Sequence, residues 1–143
     1  MINEVCELVE PEARRANIDI VKPALTSTPL WVLGDPVQLS QVLFNVVRNA
    51  MESVAKVQTR RIRLDIRQEH RDIWLEVHDT GPGLSEVAAE QAGDPFYTTK
   101  ISGLGMGLSI SKTILAQFGG RLSLQNTDSG ACARIALPFA EVT

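Results

Sequence analysis

Arg61–Asp79 reads RIRLDIRQEHRDIWLEVHD, two runs of alternating apolar and polar residues broken between Glu69 and Asp72. Ile62, Leu64 and Ile66 share one parity of the first run, and Ile73, Leu75 and Val77 share one parity of the second. Such alternation around a short polar break predicts an antiparallel hairpin with one buried face. The other face carries Arg61, Arg63, Arg67, Trp74, Glu76 and His78. Asp79 continues the buried parity, so its carboxylate is aimed at the core from the end of the strand, where it requires a hydrogen-bond donor. The DTGPGL that it opens bends through Gly81 and Gly83, and a flat ligand could lie there against bare backbone. An Asp that merely starts a turn has the same sequence.

Upstream of the hairpin, Asp35, Pro36 and Gln38 spell a helix start: N-cap, first helical position and a polar residue three after the cap. Leu39, Val42, Leu43, Val46, Val47, Ala50, Met51 and Val54 form its apolar face. Asn45 and Asn49 stand one turn apart on a different side. Asparagine competes for backbone hydrogen bonds inside a helix, so this pair is either a polar surface stripe or a set of side chains kept for a ligand.

Earlier still, Val5, Leu8, Val9 and Ala13 recur at helical spacing from an Asn3 cap to about Ala16, with Pro11 expected to kink or divide the helix. Ile18 and Ile20 predict a short strand, and Leu30 to Leu33 a second one. Downstream, Ser85 to Gln91 reads as a short helix. Leu108, Ile110, Ile114, Leu115 and Phe118 predict a longer one closed by Gly119 and Gly120. Strands then begin at Leu122 and at Ile135, joined by a turn from Asn126 to Gly130.

Strands arriving in pairs with helices between the pairs predict an α+β fold. Its form is a two-layer sandwich with helices packed on one face of a mixed, largely antiparallel sheet. The 143 residues and 44% hydrophobic content fit one domain spanning 1–143. A net charge of −3 argues against an electrostatic nucleic-acid or anionic-membrane binder, and the arginines from Arg60 to Arg67 read as the solvated face of a strand. Cys6 and Cys132 stand far apart with no CxxC or Cys/His cluster, so the spacing suggests neither a disulfide framework nor a zinc site. No apolar run has the length of a membrane span, and a reducing, cytosolic setting is expected.

Between the two helices that flank the hairpin lies DPFYTTKISGLGMGLSIS, Asp94–Ser111, with Gly103, Gly105 and Gly107 at alternate positions. Alone, this is a flexible loop or an anion cradle at a helix start. Four features stand in a fixed order: Asn45 with Asn49, DTGPG from Asp79, PFYTTK ending at Lys100, and GLGMG from Gly103. Together they resemble the N, G1, F and G2 boxes of the ATP-binding catalytic domain of sensor histidine kinases. That domain belongs to the gyrase, Hsp90, histidine kinase and MutL superfamily and has the Bergerat fold. The resemblance runs from about Val5 to Pro138, and PFYTTK close to GLGMGLSI looks most like the nitrogen, dicarboxylate and oxygen sensor branch.

The resemblance implies roles. Asp79 would read the exocyclic amine of adenine, with Gly81 and Gly83 against base and sugar. Asn49 would bind Mg²⁺ through its side-chain oxygen. Asn45 matches the position where ATP-hydrolysing relatives hold a water-activating glutamate, and an amide cannot act as that base. Asn45 and Asn49 are thus the expected catalytic centre. Phe96 would anchor a lid whose Thr98, Thr99 and Lys100 reach the polyphosphate. The loop through Gly103, Leu104, Gly105, Met106, Gly107 and Leu108 would form the phosphate rim. Arg48 is either a phosphate contact or a surface arginine. Ala131, Cys132 and Ala133 replace a threonine and a larger aromatic common in relatives, which implies a looser wall.

The implied function is donation of the γ-phosphoryl group of Mg-ATP to a histidine on a separate dimerisation and phosphoacceptor domain. That domain would be absent here and would serve a response regulator indirectly, with no nucleic acid and no direct membrane contact. His70 and His78 sit in no phosphoacceptor motif. A related ATPase or serine kinase, or an ATP-binding module that transfers nothing, are the alternatives.

Overall fold

In the computed structural model, residues 1–23, 30–83 and 104–139 are described, with residues 104–107 described by their backbone alone. Three helices and five strands are seen among them: α1 (Ile2–Arg15), β1 (Asp19–Val21), α2 (Pro36–Ser53), β2 (Arg61–Glu69), β3 (Asp72–Asp79), α3 (Leu104–Gln117), β4 (Arg121–Asn126) and β5 (Ala131–Pro138). The sheet order is β1-β2-β3-β5-β4. Only the β1–β2 pair is parallel, with α2 in the crossover between them; the other three pairs are antiparallel. Helices packed on one face of a mixed, largely antiparallel sheet is the expected architecture.

Helix α2 starts as its sequence dictates. The Asp35 carboxylate accepts a 2.8 Å hydrogen bond from the Val37 amide, and Pro36 occupies the first turn, where no amide is needed. Its apolar face is buried over the sheet through Val42, Leu43, Val46 and Val47, each at most 1% exposed, against Ile62, Leu64 and Val77 of the hairpin. Full burial of each such side chain contributes about 1.5–3 kcal/mol.

The hairpin register pairs Ile62 with Asp79 and Glu69 with Asp72, leaving a two-residue turn in which His70 takes φ 57°, a left-handed conformation histidine tolerates better than most residues. Two helices end alike. After α1, Asn17 (φ 56°) lets the Ile18 amide reach back to the Ala13 carbonyl at 2.8 Å; after α3, Gly119 (φ 75°) lets Gly120 reach Leu115 at 2.8 Å. The glycine stop was predicted, and Asn17 is its counterpart.

Three expectations are corrected. Helix α1 begins at Ile2 with Met1 at its cap, not Asn3, and runs unbroken through Pro11. Pro11 and Glu7, whose carbonyl loses its partner, are both on the exposed side, so water can replace the missing bond. Leu30–Leu33 is no strand. Val32 makes a single bridge to Phe139, while Trp31 and Leu33 are exposed, and among the described residues the ladder goes no further. Third, Ile110, expected on the apolar face of α3, is 47% exposed, while Ser111 beside it is fully buried. Ser85 to Gln91 lies outside the described residues. Among the described residues, no helix is long and apolar enough to cross a membrane.

Candidate functional site

Asp79 ends β3 on the helix-facing side of the sheet and is 7% exposed, as its parity predicted. Its Oδ1 accepts a 2.9 Å hydrogen bond from the Gly81 amide, the donor a buried carboxylate requires. Two glycines fit closely around it. A Cβ on Gly81 would run into the Ser53 hydroxyl and come within 2.8 Å of the Ser53 carbonyl; a Cβ on Gly130 would overlap the Asp79 carbonyl. Gly83 holds φ 84° with the Asn126 side chain close by, so a side chain there would be strained as well as crowded.

No local signal marks Gly130, 51 residues away in the β4–β5 turn, as part of this bend. The link is made by the register, which sets Asp79 opposite Ala131. Gly130→Ala is expected to destabilise the chain by about 1–3 kcal/mol, because backbone rather than a movable side chain occupies the space; urea unfolding measures this.

Asn45, Asn49 and Ser53 follow one another at four-residue spacing along α2 and so share one side of it. The two ends of that stripe are fixed by contacts. Asn45 donates a 3.4 Å hydrogen bond from Nδ2 to the Ser111 Oγ of α3, and Ser53 abuts Gly81. The half-buried Asn49 lies between them, so the stripe runs from α3 to the Asp79 bend. The amides are therefore kept inside a junction of helix, helix and strand end. Ser111 was missed because a serine in an apolar helix carries no sign of its tertiary partner.

Arg48, one residue from Asn49, turns the other way. Its Nη1 pairs with Glu12 of α1 at 3.1 Å and its guanidinium lies 5.7 Å from the Phe44 ring centre, which makes it a helix clamp. Phe96, Thr98, Thr99, Lys100 and Gly103 lie outside the described residues. A loop was expected through Gly107, but the backbone is helical from Leu104, so Leu104, Gly105, Met106 and Gly107 form the first turn of α3. Glycine permits helical dihedrals at a cost of about 1 kcal/mol relative to alanine, and the apolar segment after Gly107 carries the helix. The first amides of that turn have no partner within the helix. Leu108 is buried in the core.

On the far side of the sheet, Cys132 is fully buried while Ala131 and Ala133 face the helices, so only the alanines can loosen the inner wall. Burial first, with Glu76 and Asp79 adding, pushes the Cys132 thiol up to about 11, which keeps it from acting as a thiolate nucleophile at neutral pH.

A buried acid beside bare backbone, two half-buried amides one turn apart on a helix and a glycine-bearing helix start are a set suited to a base, a hard cation and phosphates. The family described as histidine kinase-, DNA gyrase B- and HSP90-like ATPase matches residues 34–141. The C4-dicarboxylate transport sensor protein DctB of Pseudomonas aeruginosa is 35% identical, covering 95% of this chain and 23% of DctB. The sensor protein FixL of Bradyrhizobium diazoefficiens is 37% identical, covering 99% of this chain and 28% of FixL. Among solved structures, the catalytic domain of histidine kinase ThkA superposes with a TM-score of 0.85 at 31% identity, covering 96% of this chain and 89% of that one. The chain thus spans about a quarter of the length of these two sensor proteins.

Proposed function

Because the chain belongs to the family of histidine kinase-, DNA gyrase B- and HSP90-like ATPases, we propose that it binds Mg-ATP and donates the γ-phosphoryl group to a histidine on a separate dimerisation and phosphoacceptor domain. From there a response regulator is served in turn. The single observation that carries the reading is the Asp79 bend, a buried carboxylate clamped by the Gly81 amide at the foot of the Asn45–Asn49–Ser53 stripe. Likeness to sensor proteins over nearly the whole chain supports phosphotransfer, and the use of ATP fits a cytoplasmic domain.

Asp79 accepts from the exocyclic amine of adenine; the carbonyl that guanine presents there meets a carboxylate unfavourably. Gly81 and Gly83 let base and sugar approach backbone. The Asn49 side-chain oxygen is a hard donor of the kind Mg²⁺ takes, and its half-buried place on the stripe suits that role. When bound, Mg²⁺ supplies charge neutralisation at the phosphates. The first turn of α3 offers amides and the positive end of a helix dipole to the same phosphates. Thr98, Thr99 and Lys100 are expected polyphosphate contacts on the resemblance of PFYTTK alone.

Asn45 holds no proton-accepting group and is tied to Ser111, so water is not activated from that position. Hydrolysis is therefore slow, and the γ-phosphoryl group is held for a better nucleophile. Transfer rests on positioning and charge stabilisation, as phosphoryl transfer generally does.

Calorimetric titration in Mg²⁺ is expected to show ATP binding at least about 10-fold tighter than GTP, since a mismatched acceptor leaves a buried polar group unpaired. Equal affinities would remove Asp79 from the base-reading role.

A further inference from the structure

His78 and Cys132 sit directly opposite each other on β3 and β5, on the sheet face turned away from the helices. Cys132 Sγ lies 3.7 Å from His78 Nε2. Glu76, two residues back on the same face, places Oε1 3.9 Å from the same nitrogen, and the three donor atoms all lie within 4.8 Å of one another. Asp65 on β2 brings Oδ2 to 3.7 Å from Nε2 as well. Both carboxylate oxygens stand beyond hydrogen-bond length from the ring nitrogen. The spacing suits atoms joined through a common centre. Zn–S of about 2.3 Å and Zn–N of about 2.0–2.1 Å in a tetrahedron set neighbouring donors about 3.3–3.6 Å apart, so the two distances to His78 Nε2 need a few tenths of an ångström of adjustment and the widest separation in the set, within 4.8 Å, needs up to about 1 Å of side-chain movement.

The scaffold and the charges permit it. β3 and β5 are interior strands, each held by a ladder on both sides. Glu76 is also claimed by arginines, yet Arg134 Nε at 3.0 Å and Arg67 Nη2 at 3.7 Å both approach Oε2, leaving Oε1 toward His78. The Arg134 guanidinium is drawn over the Trp74 ring at 4.3 Å, one cross-strand row beyond Glu76 and away from the His78 row.

We propose that Glu76, His78 and Cys132 form a binding site for a borderline divalent cation of the Zn²⁺ or Co²⁺ class. Thiolate, imidazole and carboxylate together select such ions over Mg²⁺, which prefers oxygen ligands. The site is separate from the Asn49 position, on the opposite face of the sheet. A bound ion would cross-link β3 to β5 beside Asp79.

The test is titration of the whole chain with Co²⁺ alone, under a non-thiol reductant and without Mg²⁺ or nucleotide. Expected are one equivalent of cobalt, a thiolate-to-cobalt charge-transfer absorption, its displacement by Zn²⁺, and a rise in Tm with Zn²⁺. The absorption should vanish in Cys132→Ser and persist in Cys6→Ser, whose cysteine is buried elsewhere. His78→Gln should weaken cobalt binding by about 10-fold or more while His70→Gln leaves it unchanged. Should Cys132→Ser fail to fold, the wild-type titration and the two histidine variants decide the matter. No thiolate absorption in the wild type, absorption that survives Cys132→Ser, or equal effects of the two histidine changes would overturn the proposal.

Discussion

Asp79→Asn is expected to weaken ATP binding by about 10- to 100-fold while leaving the fold intact, because a hydrogen bond to a charged group contributes about 1.5–3 kcal/mol. The asymmetry of the site sets the direction. Oδ1 accepts from the Gly81 amide at 2.9 Å, so the asparagine that replaces Asp79 turns its carbonyl to Gly81 to keep that bond. Its amide nitrogen is then forced to the position of the other carboxylate oxygen, where it meets the exocyclic amine of adenine donor to donor. GTP, which presents a carbonyl there, should lose less affinity than ATP or gain some. Calorimetry on both nucleotides, with urea unfolding as the check on folding, measures the effect. Unchanged ATP affinity in a folded variant would sink the adenine assignment.

Asn49→Ala should act on a different quantity. The side chain is half-buried between the Asn45–Ser111 contact and the Ser53–Gly81 contact, on the side of α2 away from its apolar face. Removing the amide takes away a hard oxygen donor and leaves the α2 packing surface untouched. Adenosine, which carries no phosphate, should bind within about twofold of the unchanged chain, whereas Mg²⁺-dependent phosphotransfer should fall on the order of 100-fold. Equal losses in both would show that Asn49 is a structural residue of the junction.

The sequence made the frame of this site readable because its signals are local. The Asp35–Pro36 start fixes where α2 begins, and the rotation of the helix then puts Asn45 and Asn49 on one side. Alternation through β3 fixes which way Asp79 points. What could not be read depends on register between distant segments. Gly130 reaches Asp79, and Cys132 reaches His78, only because β5 inserts between β3 and β4. That pairing brings one cysteine and one histidine, far apart in the chain and with no metal-binding spacing, into a Glu76–His78–Cys132 cluster. Ser111 likewise reads as one polar residue in an apolar helix until α3 meets α2. The errors in local structure have local causes too: Pro11 is tolerated because its side of α1 faces water, and among the described residues Leu30 to Leu33 makes only the single Val32–Phe139 bridge.

The most direct measurement mixes this chain with a separately prepared histidine-bearing phosphoacceptor domain and γ-labelled Mg-ATP, then follows label on histidine. The account predicts label that is stable in alkali and lost in acid, that appears only when both components are present, and that is lost with Asn49→Ala. Tight ATP binding with no labelled histidine would contradict it and make the domain a nucleotide-responsive module. Rapid release of free phosphate in place of labelled protein would contradict the role given to Asn45.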